Sequence, residues 1–117
     1  MAYTLYHNPR CSKSRQTLEI LQQHNVDVTV VEYLKQPPSV AQLSDISNRL
    51  GLPPREFMRR GEAEYKQLNL DTEELSESEL LQTMHDHPKL IERPILVSDK
   101  GAVIGRPPEA VLSLLTP

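Results

Sequence analysis

Tyr3-Thr4-Leu5-Tyr6 alternates with the period of a strand, and Ser14 to Asn25 then places Leu18 and Leu21 on one face of a helix. Val26 to Tyr33 is rich in valine and returns to a strand pattern, so the chain opens as a β-α-β unit with parallel strands and a right-handed crossover. Pro37-Pro38 breaks it. Ser39-Val40-Ala41-Gln42 has the spacing of a capping box and opens a helix with Val40, Leu43, Ile46 and Leu50 on one face, which Gly51 ends. Leu52 to Leu70 reads as helical but interrupted. A second capping box, Ser76-Glu77-Ser78-Glu79, starts a helix through Leu80, Leu81 and Met84 that Pro88 stops. Ile95-Leu96-Val97-Ser98 and Ala102-Val103-Ile104, separated by Asp99-Lys100-Gly101, form a hairpin pattern. A last helix begins near Pro107-Pro108 and uses Val111, Leu112, Leu114 and Leu115.

The order β-α-β, helical block, β-β-α predicts an α/β domain. It is the order of a thioredoxin-like fold, here one domain over 1–117 with a helical insertion at about 39–89. Pro94, directly before the third strand, stands where such folds place a cis-proline.

Composition narrows the function. A net charge of -3 argues against binding nucleic acid through general electrostatics. No apolar run approaches the ~20 residues that span a bilayer, and Met1-Ala2-Tyr3 enters a strand without a basic and then apolar leader. The single cysteine cannot form an internal disulfide, which fits a reducing compartment. These features predict a cytoplasmic protein that engages neither membrane nor nucleic acid, and a monomer is expected. His85 and His87 cannot share a helix face at their spacing, and His7 and His24 have no ligand companions. No metal site is expected, and His85 and His87 read as a solvated helix end.

The one cysteine is where chemistry begins. Cys11 lies in His7-Asn8-Pro9-Arg10-Cys11-Ser12-Lys13-Ser14-Arg15, between the first strand and the first helix. Unpaired N–H groups and the positive end of the dipole at a helix N-terminus favour a thiolate and hold oxyanions. Arg10, Lys13, Arg15 and His7 add cationic neighbours that lower a thiol's pKa, and Pro9 with Ser12-Lys13-Ser14 describes an exposed turn. Ionisation alone gives little. Lowering a thiol from ~8.5 to ~6.5 raises the thiolate fraction at pH 7 from ~3% to ~75%. A Brønsted slope near ~0.45 removes most of that gain. Most of the catalysis must come from holding an anionic partner against the sulfur.

Three arginines next to element ends could provide that hold: Arg59, Arg93 before Pro94, and Arg106 before Pro107. Arg93 precedes the strand that approaches Cys11, and Arg106 follows the hairpin. Two anions at 4 Å repel by ~4 kcal/mol at an effective dielectric of ~20, and guanidinium forks match tetrahedral oxyanions. The prolines that follow stiffen the backbone presenting Arg93 and Arg106.

His7-Asn8-Pro9-Arg10-Cys11, Arg59 before Tyr65-Lys66-Gln67-Leu68, Leu90-Ile91-Glu92-Arg93-Pro94-Ile95 and Arg106-Pro107 together resemble the glutaredoxin-coupled arsenate reductases. The resemblance implies that Cys11 attacks arsenate, glutathione adds to the arsenic, glutaredoxin removes that glutathione as a mixed disulfide, and arsenite leaves. It implies oxyanion binding by Arg59, Arg93 and Arg106, an influence of His7 on the thiol, and no bound cofactor, with glutathione as co-substrate. Ser12-Lys13-Ser14 stands where better-studied members tend to have Gly-Thr-Ser, which keeps a serine at 14 and adds a cation. Two other readings stay open. One is a thiol oxidoreductase acting on glutathione mixed disulfides. The other is an RNA polymerase-binding regulator like the Spx proteins, disfavoured because Ser14 occupies the second position of their Cys-x-x-Cys switch.

Overall fold

The structure, a computed structural model, describes residues 2–115. In chain order the elements are β1 (Tyr3–His7), α1 (Ser12–Gln23), β2 (Val28–Glu32), α2 (Val40–Leu50), a 3-10 turn (Pro54–Phe57), α3 (Ala63–Gln67) and α4 (Glu77–Asp86). A second 3-10 turn (Pro88–Leu90), β3 (Ile95–Ser98), β4 (Gly101–Ile104), a third 3-10 turn (Pro108–Val111) and α5 (Leu112–Leu115) complete the chain. They group into two compact units, one from the chain up to Gln36 together with the chain from Arg93 onward, the other Pro37–Glu92.

The first unit holds a four-stranded sheet in the order β2-β1-β3-β4. β1 and β2 are parallel, as the β-α-β pattern requires, while β1 with β3 and β3 with β4 are antiparallel. This is the thioredoxin-like α/β class. Leu5 pairs with Val30 on one side and Leu96 on the other, and Leu96 pairs with Val103. The two-residue period of a strand therefore puts Leu5, Leu96 and Val103 on one face. There Leu5 and Leu96 meet Leu21 of α1, Val111 and Leu114 in a single core cluster. Burying each such side chain stabilises the fold by about 1.5–3 kcal/mol.

Register also decides where the functional residues fall. Tyr6 pairs with Ile95, so the end of β1 that leads into the Cys11 loop lies beside the start of β3, just after Arg93-Pro94. Ile95 pairs with Ile104, and the Gly105 N–H donates to the Pro94 carbonyl at 2.9 Å, which brings Arg106 to the same edge. The Arg93-Pro94 peptide is cis, at the position the fold pattern indicated. The Arg106-Pro107 peptide is cis too, which the sequence did not indicate.

In the second unit both capping boxes form. Ser39 Oγ accepts from the Gln42 N–H at 3.1 Å while the Ser39 N–H donates to Gln42 Oε1 at 2.9 Å. Ser76 and Glu79 do the same at 3.2 and 3.1 Å. Gly51 adopts φ 69°, the left-handed cap that glycine takes without strain, and its N–H donates to the Asn48 carbonyl. Leu43, Ile46, Phe57, Leu80, Leu81 and Met84 are buried.

One expectation is sharpened and three need correction. Leu52 to Leu70 contains only the Pro54–Phe57 turn and the five-residue α3. Arg55 draws the segment together instead, donating to Tyr65 Oη at 2.9 Å, the Thr72 carbonyl at 2.8 Å and the Leu70 carbonyl. The last helix opens as a 3-10 turn and becomes α-helical only at Leu112. Gly101 is the first residue of β4 rather than part of the turn. His85 is not a solvated end, because Nδ1 of its half-buried ring lies 2.8 Å from the Pro38 carbonyl. Among the described residues no helix is long and apolar enough to cross a membrane, and no group of three or more side chains could hold a metal ion.

Candidate active site

Cys11 is the N-cap of α1, with extended backbone at φ -94° and ψ 124°. Its loop is fixed almost wholly by short-range hydrogen bonds. The Cys11 N–H donates to the Asn8 carbonyl at 3.0 Å, and the Arg10 N–H donates to Asn8 Oδ1 at 3.0 Å. Asn8 thus makes the side-chain turn that Asn-Pro sequences favour. Ser14, fully buried, accepts the Asn8 N–H on Oγ at 3.0 Å and so closes the loop onto the helix. Arg15 turns back and donates from Nη1 to the Pro9 carbonyl at 2.9 Å.

The loop around the sulfur is exposed, as its polarity suggested, but Cys11 itself is 9% exposed. Burial pushes the thiol up, and more strongly than any other single influence. The Ser14 N–H, the charge of Arg93, the Lys13 N–H and a hydrogen bond from the Arg93 side chain together outweigh it, leaving Cys11 below its ordinary value. The donors from Lys13 and Ser14 are free backbone groups of the first helical turn. The charge that lowers the thiol thus comes from Arg93, remote in sequence, rather than from a neighbour in the loop. Lys13 acts through its backbone, and Arg15 is spent on the loop.

Arg106 completes the cluster. Its Nη2 donates to Cys11 Sγ at 3.7 Å and its Nε to the Arg93 carbonyl at 2.8 Å. Arg93, Arg106, Ser14, Arg15 and Pro94 all lie in the first unit with Cys11. Arg59 lies in the second unit, where its guanidinium is ion-paired with Glu62 and its N–H donates to the Leu90 carbonyl at 2.7 Å.

His7 is the last residue of β1, paired in register with Glu32. It is 5% exposed, and its Nδ1 has no hydrogen-bond partner among the described residues. Burial pushes the imidazole below its ordinary value, against the pull of Glu32 and with the push of Arg15. Burial thus favours the neutral imidazole and works against His7 bringing positive charge to the loop.

Chemically, the cluster sets a cysteine whose ionisation is favoured beside two guanidinium groups at the head of a helix. An anionic electrophile placed there meets a nucleophile and, beside it, the charges that offset the repulsion between them. Asn8 was missed in the sequence, although the Asn-Pro pair signalled its turn. The backbone donors of Lys13 and Ser14 carry no side-chain signal at all.

The protein is 52% identical over 112 residues to the uncharacterised protein YfgD of Escherichia coli K12, covering 95% of this chain and 94% of that one. It is 44% identical over 116 residues to a protein of Haemophilus influenzae named arsenate reductase, covering 98% and 100%. The solved structure of an arsenate reductase from Vibrio cholerae matches with a TM-score of 0.94 at 47% identity, covering 97% of each chain. A profile of the ArsC family matches residues 6–114. A cysteine at the head of α1, a guanidinium against its sulfur, and a family match that runs from β1 into α5 lead to one assignment: the chain belongs to the ArsC family.

Proposed function

We propose that this protein is an oxidoreductase that reduces arsenate to arsenite through Cys11, with glutathione and glutaredoxin as electron donors. The observation that carries the reading is the Arg106 guanidinium 3.7 Å from a sulfur held toward its thiolate. Family relatives named arsenate reductase support the same reaction.

Arsenate binds beside the sulfur, its negative oxygens against Arg93 and Arg106. The Cys11 thiolate attacks arsenic and one oxygen leaves as water after protonation, giving a Cys11–S–As(V) adduct. Glutathione displaces a second oxygen in the same way. A glutaredoxin thiolate then attacks the glutathione sulfur. The S–As bond breaks, its electron pair stays on arsenic, and As(V) becomes As(III) as the two external thiols leave as a mixed disulfide. Hydrolysis of the remaining Cys11–S–As(III) bond releases arsenite and restores the thiol. No resident cofactor is needed, since both electrons come from the two external thiols. The family pattern also assigns Arg59 to the oxyanion, and Arg59→Ala should then weaken arsenate binding.

Arsenite formed with glutathione and glutaredoxin, and lost in Cys11→Ser, is the expected result. An unchanged rate in Cys11→Ser overturns the mechanism. A wild-type protein that makes no arsenite but turns over a glutathione mixed disulfide is a thiol oxidoreductase of the other kind.

A further inference from the structure

Gly105 is buried, and space rather than backbone conformation requires it to be glycine. Its φ lies outside the left-handed region, so alanine could adopt the same backbone. A Cβ there would nevertheless stand 2.8 Å from Pro94 Cγ, 2.8 Å from Thr17 Oγ1 and 3.3 Å from Thr17 Cγ2. Carbon atoms pack at about 3.5–4.0 Å.

Neither wall gives way easily. Thr17, in the second turn of α1, is fully buried, and its hydroxyl donates to the Lys13 carbonyl at 2.9 Å. Its branched side chain is stiff at χ1. On the other side, the Gly105 N–H is bonded to the Pro94 carbonyl at 2.9 Å. The three residues therefore fix how closely α1 approaches the chain at 94 and at 105. Cys11 heads that helix, Arg93 adjoins Pro94, and Arg106 adjoins Gly105.

We infer that Thr17 and Gly105 are positioning residues, whose contact against Pro94 sets the distance from the head of α1 to the Arg106 guanidinium. The inference rests on the reading of Cys11 and Arg106 as the oxyanion site. Misplacement by ~1 Å can cost ~100-fold in such a site.

The test measures Cys11 alkylation by iodoacetamide across pH, with and without arsenate or inorganic phosphate as protecting ion. In Gly105→Ala the alkylation midpoint moves to higher pH, and half-protection needs about tenfold more arsenate. Circular dichroism and urea unfolding report that the variant is folded. Adding Thr17→Ala removes two of the three close contacts and lowers the half-protecting concentration again by about threefold, the coupling expected of residues in contact. A folded Gly105→Ala with the wild-type midpoint and protection overturns the inference, and so does a double variant without recovery. If Gly105→Ala does not fold, Thr17→Ala alone decides. It loosens the contact and should need about threefold more arsenate, and wild-type behaviour there overturns the idea. A wild-type protein protected by arsenate but making no arsenite defeats the proposed function and leaves this inference intact. A wild type that neither ion protects defeats the oxyanion site, while the alkylation midpoint still decides the positioning.

Discussion

Cys11 reacts as a thiolate, so the pH dependence of its alkylation measures the forces on it directly. The midpoint is expected below the ordinary thiol value, and Arg93→Ala should move it upward, because Arg93 acts on the sulfur both by charge and by a hydrogen bond. A midpoint unmoved by Arg93→Ala would assign the lowering to the helix N–H groups and Arg106 instead. Ionisation of Cys11 also couples to folding. Its folded value lies below the ordinary thiol value, so the thiolate's contribution to stability is fully present above that ordinary value and is lost as pH falls through the folded one. His7 follows the same sign for a different reason. Burial holds it below 6.5, so the folded protein takes up its proton later than the unfolded chain, and stability falls as pH drops below that value. His7→Asn should flatten the urea-unfolding free energy in that acid range, and an unchanged slope would show that His7 charges freely in the folded state. The position of Cys11 at a helix start was legible from strand, turn and helix patterns. Its partners were less so. Arg93 and Arg106 were visible only as arginines beside prolines, and the backbone donors of residues 13 and 14 leave no trace in side-chain chemistry.

Elements whose stability is local were the easiest to read. The two capping boxes, the Gly51 cap and the β3–β4 hairpin each depend on residues a few positions apart, and each forms. The stretch between Leu52 and Leu70 could be read only as helical and interrupted, for the opposite reason. Its conformation depends on Arg55 reaching three acceptors in a segment well downstream, a contact without periodicity. Arg55→Ala should therefore destabilise the second unit by about 1–3 kcal/mol, the cost of leaving such acceptors unpaired. Hydrogen exchange at residues 63–72 is the measurement. Protection there equal to wild type would mean that the short helix stands without it.

For the molecule as a whole, the sheet is discontinuous in sequence: the chain leaves it after β2 and re-enters at β3. The edge beside Arg93 and Arg106 therefore forms only when β3 pairs with β1, and Leu96 is part of the core that holds that pairing. Leu96→Ala should cost about 2–5 kcal/mol in urea unfolding, as fully buried leucines do; a loss below about 1 kcal/mol would mean the core collapses around the gap. The overall order of strands and helices could be read in advance because hydrophobic periodicity encodes it. Which loop ends converge follows from register, and register is set by pairing between distant segments. One bond found at that convergence is unequal in its effects. Arg106 grips the main chain of residue 93, so a new side chain at 93 leaves that bond in place, while replacing Arg106 removes it. On the proposed oxyanion reading, position 93 is thus the one to vary for retuning anion preference, and position 106 is the one to leave alone.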